Sequence, residues 1–268
     1  MRRKPAVAGY FYPGQGEILS EMIKGMTDLD IKKEKAIGVV SPHAGFVYSG
    51  PVAGALFSAV ILPDTYVILG PSHRGMSSRF AIMKEGVWET PLGDVPLESQ
   101  LAALIMDNSP LVVENERAHS EEHSLEVQLP FIQYFKQEFS IVPICLSYDV
   151  SYEELEELAR AISKGIQDFK KEVLIVASTD MSHYVSQKTA EKKDFLAIDR
   201  VLKLDPKGLY DTVLKEDISM CGFQPTTSAL IASKELGAKK AKLIKYQTSG
   251  DTSGDYSQVV GYAGLRIS

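Results

Sequence analysis

Short runs that are apolar at nearly every position alternate along this chain with longer stretches in which apolar residues recur every three or four positions. The first kind reads as β-strands covered on both faces. Such runs are "AIGVVS" at 36–41, "TYVILG" at 65–70, "SIVPICLS" at 140–147, "EVLIVAS" at 172–178, "AKLIKYQT" at 241–248 and "YSQVVGYAGL" at 256–265. The last is less uniform, which suits antiparallel pairing. The second kind reads as amphipathic helices. "SYEELEELARAISKGI" carries Leu155, Leu158, Ala159 and Ile162 at helical spacing behind Ser151, a residue suited to the N-cap. "HSLEVQLPFIQYF" places Leu125, Leu129 and Ile132 on one face despite Pro130. "QKTAEKKDFLAIDRVLKL" and "PTTSALIASKELG" read as helices too, the second stopping at Gly237. The segment 79–96 reads as a hairpin-bearing insertion. This alternation predicts an α/β fold, with helices flanking a mainly parallel sheet, over one domain spanning residues 1–268.

Composition adds limits. The chain is 44% hydrophobic and carries a formal net charge of −6, so it has ample material for a core and no basic stripe for nucleic acid. The short basic clusters "MRRK", "KKEK" and "GAKKAK" read as solvated surface. No apolar run approaches the roughly 18 residues of a membrane span, and "PAVAG" is too short for the apolar core of a signal peptide. Two cysteines, Cys145 and Cys221, make no disulfide framework, which fits a reducing compartment and places the protein in the cytoplasm.

Against that background the histidines stand out. His43 follows "AIGVVSP", His73 follows "TYVILGPS" and His183 follows "EVLIVASTDMS", so each comes just after a predicted buried strand. In an open parallel sheet the loops leaving the C-terminal strand ends converge on one edge, where ligands bind. Imidazole is the commonest metal-binding side chain and the usual acid–base group near neutral pH. Asp180, three residues before His183, is placed to orient that imidazole or a bound water. Cys221 lies in "MCGFQP", at a turn into a helix, where a lowered pKa favours the thiolate that binds metals. Cys145, inside an apolar strand, reads as core. His119 and His123, four residues apart in "RAHSEEHS", either share one helical face or lie on the surface, and Glu122 and Glu126 read by default as solvated carboxylates.

Taken together, "PHAGFVYSG", "LGPSH", "EEHSLEVQLPF", "STDMSHY", "CGFQP" and "TSGDTSGDYSQVVGYAG" resemble the Memo family, whose microbial members are also called AmmeMemoRadiSam system protein B. The resemblance runs from "AGYFYP" to "VGYAGL". It implies an α/β/α sandwich with a mixed, mainly parallel central sheet, similar to the class III extradiol ring-cleaving dioxygenases. Those enzymes hold iron with two histidines and a carboxylate, beside an acid–base histidine. By this resemblance His43 and His73 match the histidine ligands, His183 matches the acid–base histidine, Cys221 falls at the carboxylate's place, and Asp180 lines the pocket. Around the same pocket stand His123, Glu122 and Tyr48. Two imidazoles and a thiolate suit iron, copper or zinc without selecting among them. Three functions remain open at this level. One is metal-dependent redox chemistry on a small substrate; another is a binding cleft for a peptide or small ligand; the third is a zinc hydrolase. Partners from a radical-SAM pathway are also implied by the resemblance, and neither nucleic acid nor membrane is expected.

Overall fold

The structure, a computed structural model, describes residues 1–76 and 78–268. The strands are β1 (Arg2–Arg3), β2 (Gly38–Ser41), β3 (Thr65–Pro71), β4 (Phe80–Ile82), β5 (Val87–Thr90), β6 (Gly93–Pro96), β7 (Val112–Glu114), β8 (Ser140–Leu146), β9 (Val173–Ser178), β10 (His183–Val185), β11 (Ala241–Thr248) and β12 (Val259–Ile267). The helices are α1 (Gly16–Lys24), α2 (Phe46–Ser58), α3 (Ser99–Asp107), α4 (Arg117–Ser120), α5 (Leu129–Phe135), α6 (Tyr152–Phe169), α7 (Gln187–Leu202), α8 (Pro206–Lys215), α9 (Phe223–Glu235) and α10 (Gly250–Ser253).

All six apolar runs form strands of one mixed sheet. Its order is β10-β12-β2-β9-β3-β8-β4-β7, with β11 also paired to β12. The centre, β2-β9-β3-β8, is parallel, and β12 joins it antiparallel to β2. Residues alternate in burial partners along each strand. Val40, Val67, Leu69 and Ile175 pack on the side of α3, α6 and α9, while Val39, Tyr66, Ile68 and Val176 pack on the side of α1, α2 and α5. The sheet is thus the middle of three layers, in agreement with the α/β expectation.

Local chemistry explains where the elements begin. Ser151 accepts from the Glu154 N–H while Glu154 returns a bond to the Ser151 N–H, a reciprocal cap worth about 1 kcal/mol to α6. Pro130 occupies the first turn of α5, where its missing N–H has no partner to lose. The expected helix from 123 onward therefore divides into a 3-10 turn at Glu126–Gln128 and α5. The 79–96 insertion divides as well. β5 and β6 form a hairpin that β1 extends, whereas β4 leaves it to pair with β8 at the sheet edge. Among the described residues no helix is long and apolar enough to cross a membrane.

The parallel register brings three strand ends together. Ser41 lies opposite Ser178, and Leu69 lies opposite Ala177. The chain leaving β2, β3 and β9 therefore emerges side by side at one edge.

Candidate functional site

At that edge the imidazoles of His43, His73 and His123 meet. One ring nitrogen from each lies within 4.8 Å of the others. The His73 and His123 rings stack with centroids 4.5 Å apart, and His43 meets both edge-on at 5.2 and 5.5 Å. His43 and His73 arrive from the ends of β2 and β3, as their positions after strands predict. His123 arrives from the turn after α4, and its place inside the group goes beyond the pocket-lining part read from the sequence.

Hydrogen bonds assign which nitrogen of His43 faces the cluster. Ser178 Oγ donates its one proton to the Ser124 carbonyl at 2.5 Å. It accepts from Gln128 Nε2 at 2.8 Å, and that amide is oriented by a second bond to the Pro42 carbonyl. The remaining partner, His43 Nδ1 at 2.9 Å, must then donate to Ser178. This leaves the lone pair on His43 Nε2. Cys221 Sγ lies 3.2 Å from that nitrogen and serves as its donor.

Glu122 performs the corresponding task for His73. Its Oε1 accepts from His73 Nδ1 at 2.9 Å and its Oε2 accepts from the His73 backbone N–H at 2.6 Å. The same Oε1 takes the Ser124 N–H and lies 3.5 Å from His123 Nδ1. A carboxylate on Nδ1 leaves Nε2 of His73 as the free donor atom. Burial alone would push the Glu122 carboxyl up, but His73, the Ser124 N–H and His123 bring it down to about 2. The expectation of a solvated carboxylate fails here because Glu122 and Glu126 are both fully buried, each with partners far away in sequence.

Burial holds the His43 and His123 imidazoles neutral. His43 lies well below the ordinary histidine range, first through burial and then through the neighbouring His123, His73 and His183. His123 is lowered to about 4, again mainly by burial. Neutral imidazole is the form that ligates a metal. The Cys221 thiol, by contrast, is pushed up by burial and by Asp180, against the expectation drawn from its place before α9. Its proton has an acceptor in His43, so the metal-free pair is a thiol and a neutral imidazole. The approach of Cys221 depends on Gly222, where a Cβ would collide with the Ser178 carbonyl, and on the Gly222 N–H bond to Thr179 Oγ1.

Asp180 is buried beside the cluster, and its carboxyl is raised to about 6 by burial, offset in part by the His43 N–H and by His183. Its Oδ1 accepts the His43 backbone N–H at 2.8 Å, and its own N–H points to Cys221 Sγ at 3.2 Å. It braces the His43 loop, a different task from orienting His183. His183 is held by Ser219 instead, whose carbonyl accepts from Nδ1 at 2.8 Å, leaving Nε2 as a proton acceptor. Tyr48 lies in the first turn of α2, is 41% exposed and has its carbonyl bonded to Gln247.

The i, i+4 reading of His119 and His123 is corrected. α4 ends at Ser120, so the two rings do not share a helical face. His119 is fully buried, with Nε2 on the Ala81 carbonyl and its ring edge-on to Trp88. Cys145 is buried in β8, as its apolar surroundings predict. Ser178 and Gln128 were not singled out by pattern. Only the position of Ser178 at a strand end beside Asp180 hinted at its part.

The chain is similar to known proteins over nearly its whole length. The family model for Memo-like protein matches residues 3–266. A MEMO1 family protein of Desulfurococcus amylolyticus is 44% identical, with 99% of each chain covered. One from Pyrobaculum arsenaticum is 44% identical over 98% of each chain. Another, from Methanopyrus kandleri, is 41% identical over 99% of this chain and 98% of its own. Among solved structures, uncharacterized protein JW3007 from Escherichia coli K12 superposes with a TM-score of 0.59 at 13% identity, covering 86% of this chain and 99% of that one. At that identity the likeness concerns the fold alone.

Proposed function

The chain belongs to the Memo family, and from that premise we propose that its histidine cleft is a transition-metal site for oxidation–reduction chemistry on a small substrate. The observation that carries this reading is the convergence of three imidazoles, with one ring nitrogen of each within 4.8 Å of the others, beside a thiol that donates to one of them. The donor chemistry fits a metal. His43 and His73 each have Nδ1 engaged on an oxygen, so that Nε2 is the nitrogen turned to the group, bonded only to the Cys221 thiol in His43. We assign His43, His73 and Cys221 as ligands and add His123 as a further nitrogen donor.

Iron or copper is the metal proposed, because nitrogen and thiolate donors suit both and both change oxidation state; zinc is the alternative for the same donors. When bound, such a metal supplies electron transfer and Lewis-acid activation of substrate. The chain's own residues do the rest. Glu122 and Ser178 keep the tautomers of His73 and His43. Asp180 braces the His43 loop. His183, whose Nδ1 is held by the Ser219 carbonyl, takes or returns a proton at Nε2. Cys221 would hold the metal as thiolate, its proton released to solvent. Two free cysteines suit a reducing interior, and the cytoplasm is the compartment we propose.

The test is metal analysis of the protein isolated without chelators and without oxygen. Iron or copper near one ion per chain, with oxygen uptake on turnover, supports the reading. Zinc alone with oxygen-independent hydrolysis replaces it with the zinc hydrolase.

A further inference from the structure

A buried ion pair outside the histidine group ties the start of the chain to the turn that carries Glu122 and His123. Arg3 and Glu126 are 6% and 0% exposed, and Arg3 Nη1 lies 2.5 Å from Glu126 Oε2. The guanidinium is also bonded to two backbone carbonyls. Nε donates to His119 O at 2.9 Å and Nη2 to Glu122 O at 2.7 Å. Its face rests on Trp88, 4.2 Å from the ring centroid. Glu126 in turn accepts from the Ala6 and Val7 N–H groups and from the Tyr12 hydroxyl. Further along the same segment, the Phe11 ring meets His123 edge-on at 4.8 Å, and the Phe11 carbonyl accepts the Phe46 N–H at the start of α2. Residues 3–12 thereby touch both the turn bearing His123 and the helix that follows His43.

Stability alone is a poor account of this arrangement, since a buried ion pair is often no more stable than an apolar replacement of the same volume. Its distinctive property is direction. A guanidinium is a rigid planar fork, and here its prongs fix the carbonyls on either side of the turn 119–122. We propose that Arg3 is a positioning residue for the metal site, setting that turn so that Glu122 reaches His73 and His123 faces His43. The inference rests on the metal reading above. It goes beyond it by making the N-terminal strap, more than 100 positions away in sequence, a determinant of the site's geometry.

Cobalt(II) is the probe, because its ligand-field absorption reports the ligand set while titration reports affinity. Four proteins are compared: the parent, Arg3→Lys, the double variant Arg3→Met/Glu126→Gln, and Arg2→Met. Arg3→Lys keeps a cation against Glu126, and so the fold, but cannot span both carbonyls. The double variant removes both charges together. Arg2 is exposed on the same short strand and pairs only with Glu89 and Asp94 among the described residues. The expected result is about a 10-fold loss of cobalt affinity, with an altered spectrum, in Arg3→Lys and the double variant, as for other outer-shell losses. Arg2→Met should match the parent. Variants with a lowered Tm but the parent's affinity and spectrum would show a merely structural ion pair and overturn the inference. A parent that takes up no cobalt would overturn the metal reading, and this inference with it.

Discussion

Cys221 Sγ lies 3.2 Å from His43 Nε2, and the hydrogen bonds around Ser178 make that nitrogen the acceptor. The thiol thus donates its proton to the imidazole. Cys221→Ser should lose much of the metal, and uptake by the parent should release a proton and weaken at acid pH. Cys145→Ser should retain it, because Cys145 is fully buried in β8. Metal content of the two serine variants, prepared beside the parent, checks this. Equal content in parent and Cys221→Ser would reject thiolate ligation.

Glu122→Gln keeps the shape of the side chain but removes the charge behind His73 Nδ1. Metal affinity should fall about 10–100-fold while the fold persists. Competition against a chelator of known affinity measures it. An unchanged affinity would mean that the backbone N–H bonds from His73 and Ser124 are the whole task of Glu122.

For Asp180→Asn the expected loss of metal retention is about 10-fold, because the weaker acceptor loosens the His43 backbone and with it the ring. Far-UV circular dichroism should match the parent. Full metal content in this variant would reduce Asp180 to a turn cap.

The metal-free protein should lose stability on acidification. His119 and His123 are both held to about 4 in the fold, mainly by burial, against 6.5 unfolded. Between those values the unfolded chain binds more protons, so stability rises with pH across the window, by about 3 kcal/mol for His119 alone. Asp180 acts in the opposite sense. Its carboxyl is raised to about 6, so the fold binds its proton first and offsets part of the loss. Glu122, lowered to about 2, adds a further loss below pH 4.5. Urea midpoints measured from pH 7 to pH 4 should fall. A flat profile would contradict neutral burial of the histidines.

Much of this was legible in the sequence. Each long apolar run became a strand, and the parallel centre brought His43, His73 and Asp180 to one edge. The short strands β4, β7 and β10 carry no pattern of their own, because three residues show no period. Glu122, Glu126 and His123 looked like a polar surface loop. Their burial comes from Arg3, His73 and Tyr12, partners brought in by tertiary folding that no local pattern announces. Cys221 lies against His43, but its place before α9 pointed to a lowered thiol pKa. Its pKa moved the other way because desolvation outweighs the end of a helix.

The most direct measurement is metal stoichiometry of the parent and of His73→Ala, both isolated without chelators and without oxygen. The account predicts iron or copper near one ion per chain in the parent, and little in the variant although it remains folded. A parent that is folded and metal-free, and that stays so after incubation with ferrous iron or copper, would contradict it.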